Sequence, residues 1–148
     1  LYGLILHENQ LTSVPSAISN LKKLEQLELG YNRLTSVPAE IGNLTNLSAL
    51  GLSGNQLSTV PTSFGKLINL WALHLQDNNL VGDVSPWAEP LRKANKIYSF
   101  SMGGNRCLNA GGNVALETWL SSFTYEDSPN QNGEPIGAIG NPDWRDGC

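Results

Sequence analysis

Between Leu24 and Asn46 the apolar residues fall at Leu24, Leu27, Leu29 and Leu34, then at Val37, Ile41 and Leu44. At Leu47 the series begins again, and a shift of 23 residues in either direction lays apolar on apolar. The first slot is held by Leu1, Leu24, Leu47 and Leu70, and after a longer turn by Ile97. A polar slot further on is held by Asn9, Asn32, Asn55, Asn78 and Asn105. Within Leu-x-x-Leu-x-Leu the alternation predicts a short strand, leucines inward and intervening residues outward. Self-similarity at a fixed period predicts a solenoid, with strands stacked in parallel about 4.8 Å apart through right-handed crossovers.

The rest of the repeat follows from the same register. A buried Asn amide turns the chain by bonding backbone groups of its own and adjacent turns, a structural task. Val-Pro at 14–15, 37–38 and 60–61 keeps the descending segment extended, and Ile18, Ile41 and Phe64 fill the core from the opposite side. From Leu80 to Leu91 the chain is four residues longer than from Leu11 to Ile18, so the fourth repeat carries an insertion. Ser85-Pro86 is a helix start, and a short helix is expected before Asn95 with Pro90 in its first turns. After Gly111-Gly112, Asn113 caps a helix predicted over about Val114 to Phe123. Its Leu116, Trp119, Leu120 and Phe123 share one face and form a lid over the last repeat. From Tyr125 the chain reads as loop, pinned back by Ile136, Ile139 and Trp144.

Leu-x-x-Leu-x-Leu-x-x-Asn-x-Leu, four times over and a fifth time in degenerate form through Ile97, Phe100, Met102, Asn105 and Cys107, resembles the leucine-rich-repeat family across Leu1 to Cys107. The resemblance implies an α/β fold: a right-handed leucine-rich-repeat solenoid with a parallel sheet on its concave face. It implies two regions, five-stranded repeats over 1–107 and a C-terminal helical and loop cap over 108–148. Leu80-Val81-Gly82-Asp83-Val84 is similar to the Leu-x-Gly-x-Ile-Pro turn of plant-type repeats. The series Cys107…Leu-Glu-Thr-Trp-Leu…Asp-Trp…Gly-Cys148 looks like the C-terminal caps of secreted repeat proteins. Leu1 begins inside the pattern, so missing upstream residues or a neighbouring chain are expected to cover Leu1, Leu4 and Leu6.

Composition changes this picture little. The chain has 148 residues, a formal net charge of −4 and 15% charged residues, which argues against nucleic acid. The basic cluster Arg92, Lys93 and Lys96 reads as a solvated helix face. No apolar run reaches the roughly 20 residues of a membrane helix. Cys107 and Cys148 are the two cysteines. Cys107 occupies a core slot, and Cys148 ends a tail that would otherwise fray. A bridge between them would close a loop of about 42 residues, worth roughly 4 kcal/mol on the chain-entropy model. A cap disulfide is favoured over two free thiols, and with it an oxidising compartment.

Candidate chemistry is sparse. His7 and His74 lie three repeats apart, roughly 14 Å by strand spacing, and cannot share a metal. His74 and Asp77 are neighbours able to hydrogen-bond, but no nucleophile stands beside them. Gly103-Gly104 and Gly111-Gly112 lack the context of a phosphate loop. The expectation is no enzyme, no metal and no cofactor, a hydrolase being a distant alternative. The outward positions instead form a face with a small-residue middle at Ala49, Gly51, Ser53 and Gly54. Gln26, Glu28, Tyr31, Trp71, His74, Asp77 and Tyr98 are its candidate binding residues, and Trp87 in the inserted turn is a second candidate contact. Asn43 and Asn46 head glycosylation sequons, which also coincide with the repeat pattern. Thr12-Ser13, Thr35-Ser36 and Ser58-Thr59 form a hydroxyl ladder on one edge, as some ice-binding solenoids do; satisfying backbone groups is its plainer role. The resulting expectation is a secreted or cell-surface module binding a protein partner, with carbohydrate or a solid surface, ice included, as the alternative.

Overall fold

The structure is a computed structural model that describes residues 1–123. Five three-residue strands, β1 (Gly3–Ile5), β2 (Gln26–Glu28), β3 (Ala49–Gly51), β4 (Ala72–His74) and, later in the chain, Ser99–Ser101, form one parallel sheet in chain order. Leu4, Leu27, Leu50, Leu73 and Phe100 stand opposite one another along it. The register offset is 23 residues from β1 to β4 and 27 at the last step, so the whole insertion lies outside the sheet. Between these strands come β5 (Gly82–Asp83) and α1 (Ser85–Ala94). Ser99–Ser101 is therefore β6, followed by β7 (Leu108–Asn109) and α2 (Val114–Ser122). β5 and β7 pair in parallel as a second, two-stranded sheet, with β5 in the Val81–Val84 turn of plant-type character.

Each asparagine ties its repeat to the one before. The Asn55 Oδ1 accepts from the Leu34 N–H at 3.0 Å, and its Nδ2 lies 3.0, 3.0 and 3.3 Å from the carbonyls of Leu29, Leu52 and Ser53. Asn32 and Asn78 repeat this with Leu11 and Leu57 as donors. Asn105 accepts from Leu80 and donates to Leu75 and Met102. Asn9 bonds only the Leu6 and His7 carbonyls and is exposed.

On the convex side Pro15, Pro38 and Pro61 hold extended backbone, φ −69°, −69° and −61°, and each opens a five-residue 3-10 turn. Ile18, Ile41 and Phe64 point from these turns into the core. In the fourth repeat the insertion lets the ten-residue α1 replace that turn. It closes on Asn95, in the left-handed region at φ 52°, whose N–H reaches the Leu91 and Arg92 carbonyls. Pro90 sits in the second turn of α1, and its ring packs on Gly65 of the preceding repeat. Arg92 donates to Glu89 at 2.7 and 2.8 Å, and that guanidinium holds the Glu89 carboxyl down at about 2. Trp87 is only 4% exposed and its ring stands 6.5 Å from Phe100. It is a core residue and not a contact residue, because α1 turns it inward beside Ala88 and Leu91.

At the C-terminal end of the described chain Asn113 Oδ1 accepts from the Leu116 N–H at 3.0 Å and starts α2. Leu116 and Leu120 are buried, while Trp119 and Phe123 meet edge to face at 4.9 Å and both contact the Phe100 ring. The expected lid is thus an aromatic cluster over the inward residue of β6. The pinning contacts expected of Ile136, Ile139 and Trp144, and Cys148 itself, lie outside the described residues. Cys107 is half-buried at the turn preceding β7.

The ladder makes a testable prediction. Asn55→Ala should cost about 2–5 kcal/mol, since the buried Leu34 N–H is stranded at about 1–3 kcal/mol and the Leu29, Leu52 and Ser53 carbonyls each lose one of two donors, whereas Asn9→Ala should cost under about 1 kcal/mol. Leu50→Ala, deleting a core side chain, should also fall near 2–5 kcal/mol. Urea denaturation of the three variants checks the order; equal losses for Asn9 and Asn55 would rule out the ladder as the source.

Candidate functional site

The outward side chains run in columns set by the register. One column holds Ile5, Glu28, Gly51, His74 and Ser101. Another, just before each asparagine, holds Glu8, Tyr31, Gly54, Asp77 and Gly104, and every member has positive φ, 54° to 66°. That left-handed bend turns the chain off the sheet and costs an L side chain about 1–2 kcal/mol relative to glycine. The sequence pattern did not reveal it, because three of five members are not glycine.

Of the candidate residues, Gln26, Tyr31, Trp71, Asp77 and Tyr98 are exposed, and Glu28 and His74 are half-buried. Tyr31 is 57% exposed, Trp71 50% and Tyr98 82%, so these rings are not cover for the leucines beneath. Trp71 and Tyr98 are neighbours at the leading edge of the sheet, where the Tyr98 N–H donates to the Trp71 carbonyl at 2.8 Å. Tyr2, in their column, is exposed as well and escaped the sequence reading.

Across the face, side chains lean onto the next repeat. A methyl group on Gly51 would collide with the Glu28 carboxylate, and one on Gly104 with the Asp77 carboxylate. A methyl on Gly54 would stand 2.6 Å from the Tyr31 ring. His74 does not bond Asp77: its Nε2 lies 2.9 Å from Ser99 Oγ, while Asp77 turns away toward Gly104. The positive φ of Asp77 separates the two. Ser101 donates to Gln76. Among the described residues no group of three His, Cys, Asp or Glu could hold a metal ion.

Asn43 and Asn46 are both exposed, and the Asn46 Nδ2 donates to the Lys22 carbonyl at 2.7 Å. Thr12, Ser13, Thr35, Ser36, Ser58 and Thr59 are exposed, and none of their hydroxyls forms a hydrogen bond among the described residues. The ladder therefore does not satisfy backbone groups.

Gly54→Ala should destabilise the fold by about 1–2 kcal/mol through its positive φ alone, and by more with Tyr31 present. In a Tyr31→Ala background the extra part should disappear. Thermal melts of the two single variants and the double variant read this coupling; strict additivity would mean that the ring does not rest on Gly54.

A leucine-rich-repeat family model matches residues 1–57 and 32–80. Comparison with curated proteins gives no match. Among solved structures the chain is similar to the ectodomain of the receptor kinase SOBIR1 from Arabidopsis thaliana, at 34% identity and a TM-score of 0.66 over 73% of this chain and 58% of that one. It is also similar to the BIR3–SERK2 complex from the same plant, at 33% identity and 0.63, covering 72% and 56%. A plant ice-binding protein matches at 31% identity and 0.61, covering 73% and 35%. The chain thus spans less than two thirds of each of these structures. With the register of its strands, its asparagine ladder and the matched repeats in agreement, the chain belongs to the leucine-rich-repeat family.

Proposed function

We propose that this chain is a non-enzymatic recognition module that binds a protein partner through the concave face of its sheet. One observation carries the reading: three large aromatic side chains stand exposed on that face, beside groups held in place by the next repeat. Tyr31 and Trp71 offer contact area at small entropic cost, with Gln26, Glu28, His74, Asp77 and Tyr98 around them. The convex side is occupied by 3-10 turns and α1. Similarity to a receptor-kinase ectodomain and to a structure of a complex between two proteins supports both protein recognition and a place outside the cell. Residues 1–107 form the repeats and 108–148 the cap in this reading, and Asn43 and Asn46 are available for glycosylation.

A partner isolated by co-purification should bind Tyr31→Ala and His74→Ala more weakly by about 1–2 kcal/mol each, with little change in melting temperature. Titration calorimetry measures it. Undiminished affinity in both variants, together with its loss on substituting the exposed Val114 of the cap, would move the site off the sheet.

In the same reading Cys107 and Cys148 are joined, which anchors the end of the cap and suits an oxidising compartment. Intact mass of native protein, alkylated under denaturing conditions before and after reduction, should show two cysteines modified only after reduction. Alkylation without reduction would contradict the pairing and weaken the extracellular assignment.

A second reading has its own support. Six exposed hydroxyls without partners repeat from rung to rung at the roughly 4.8 Å spacing of stacked strands, and a plant ice-binding protein shares the fold. Binding to ice through this edge is testable by thermal hysteresis: activity lost in Thr35→Lys would support it, and no hysteresis in the parent chain would end it.

A further inference from the structure

Glu28 and Tyr31 lean from the second repeat onto the third, and of the two residues between them Leu29 is buried in the core. Gly30 is the other, and the Ser53 hydroxyl fills the space above it, 3.1 Å from where a Gly30 Cβ would be. Gly51 and Gly54 lie beneath the Glu28 carboxylate and the Tyr31 ring, which take up the space their own side chains would need.

The polar groups here are not satisfied by the protein. Ser53 is 9% exposed, yet its hydroxyl forms no hydrogen bond among the described residues. No described polar side-chain atom is both sealed from solvent and unbonded, so this hydroxyl opens onto the concave face. The Glu28 carboxylate likewise has no hydrogen bond or ion pair among the described residues. This patch of the concave face thus presents a carboxylate, an aromatic ring and a hydroxyl on neighbouring positions of two repeats.

We propose that this patch is a seat for a basic side chain, Lys or Arg, presented by the partner protein; this rests on the concave-face reading above. An anion would meet the Glu28 carboxylate, and an apolar group would strip that carboxylate of water without a partner. A cation on a long aliphatic stem meets all three demands. Its head pairs with Glu28 in a charge-assisted hydrogen bond, the Ser53 Oγ accepts a second N–H, and the Tyr31 ring receives the cation against its face.

N-acetyl-arginine methylamide and its neutral citrulline counterpart are the probes, each titrated into the isotope-labelled chain with backbone amides followed by NMR. The arginine compound should shift the Gly30, Gly51, Ser53 and Gly54 amides saturably, more weakly at high salt, and the citrulline compound should not. Glu28→Gln should weaken arginine binding about tenfold without altering the melting temperature, and Ser53→Ala should weaken it less. Absence of saturable shifts at these four amides, or an equal response to citrulline, overturns the seat. If arginine fails while Tyr31→Ala and His74→Ala still weaken the partner, the seat is wrong and concave recognition survives. If arginine titrates these amides while the partner ignores both substitutions, the patch binds cations but does not seat the partner, and the proposal falls together with concave recognition.

Discussion

Everything on the concave face depends on how the chain leaves the sheet. Each strand of the five-stranded sheet is three residues long, so the backbone soon turns inward, where its N–H and C=O groups lose both strand partners and water. Stranding them costs about 1–3 kcal/mol each, more in total than so short a ladder can offset. One asparagine per repeat resolves this because its amide accepts once and donates twice in a fixed geometry. The Asn55 side chain serves the preceding repeat through Leu34 and Leu29 and its own through Leu52 and Ser53. A side chain bonded to both repeats fixes their relative height. That fixes the register, and with it which residues become lateral neighbours.

The fold was legible for this reason. Polar Asn in an otherwise apolar column is costly unless bonded, so its recurrence at 23-residue spacing identified the turn and located the inward leucines. The insertion was legible as well, because the columns resume at Ile97, and the structure confines the extra four residues to the segment around α1. Trp87 was not: an aromatic in an inserted turn has no column to assign its face, and only the packing of α1 on the preceding turn sends it to Phe100. Of the concave face, the sequence displayed which side chains point outward. Where their ends rest depends on backbone conformation, and the left-handed column is invisible when Glu8, Tyr31 and Asp77 occupy it. Hence His74 and Asp77, close in sequence, belong to different contacts.

The left-handed column also shows a balance between fold and surface. Gly54 and Gly104 adopt that conformation without steric cost, whereas Glu8, Tyr31 and Asp77 do so against it. Placing Tyr31 there reduces stability locally and gains a ring lifted clear of the sheet. Such strain persists where surrounding structure over-determines it. Here the Tyr31 N–H is held by the Ser53 carbonyl at 2.7 Å, and the Asn32 and Asn55 amides fix the turns on both sides.

The leaning of one repeat onto the next means that the shape of the face is written in pairs. Glu28 rests on Gly51, Tyr31 on Gly54 and Asp77 on Gly104, and in each pair the glycine is the space the larger group needs. Neither member alone defines the surface. A larger residue at Gly51 would displace the Glu28 carboxylate, and a smaller one at Glu28 would leave Gly51 bare. Residues sharing a contact in this way do not contribute additively. A solenoid thereby changes its concave face without touching its core: the inward leucines and asparagines keep the repeats in register, and lateral pairs on the outward columns decide where charge, ring and empty space fall.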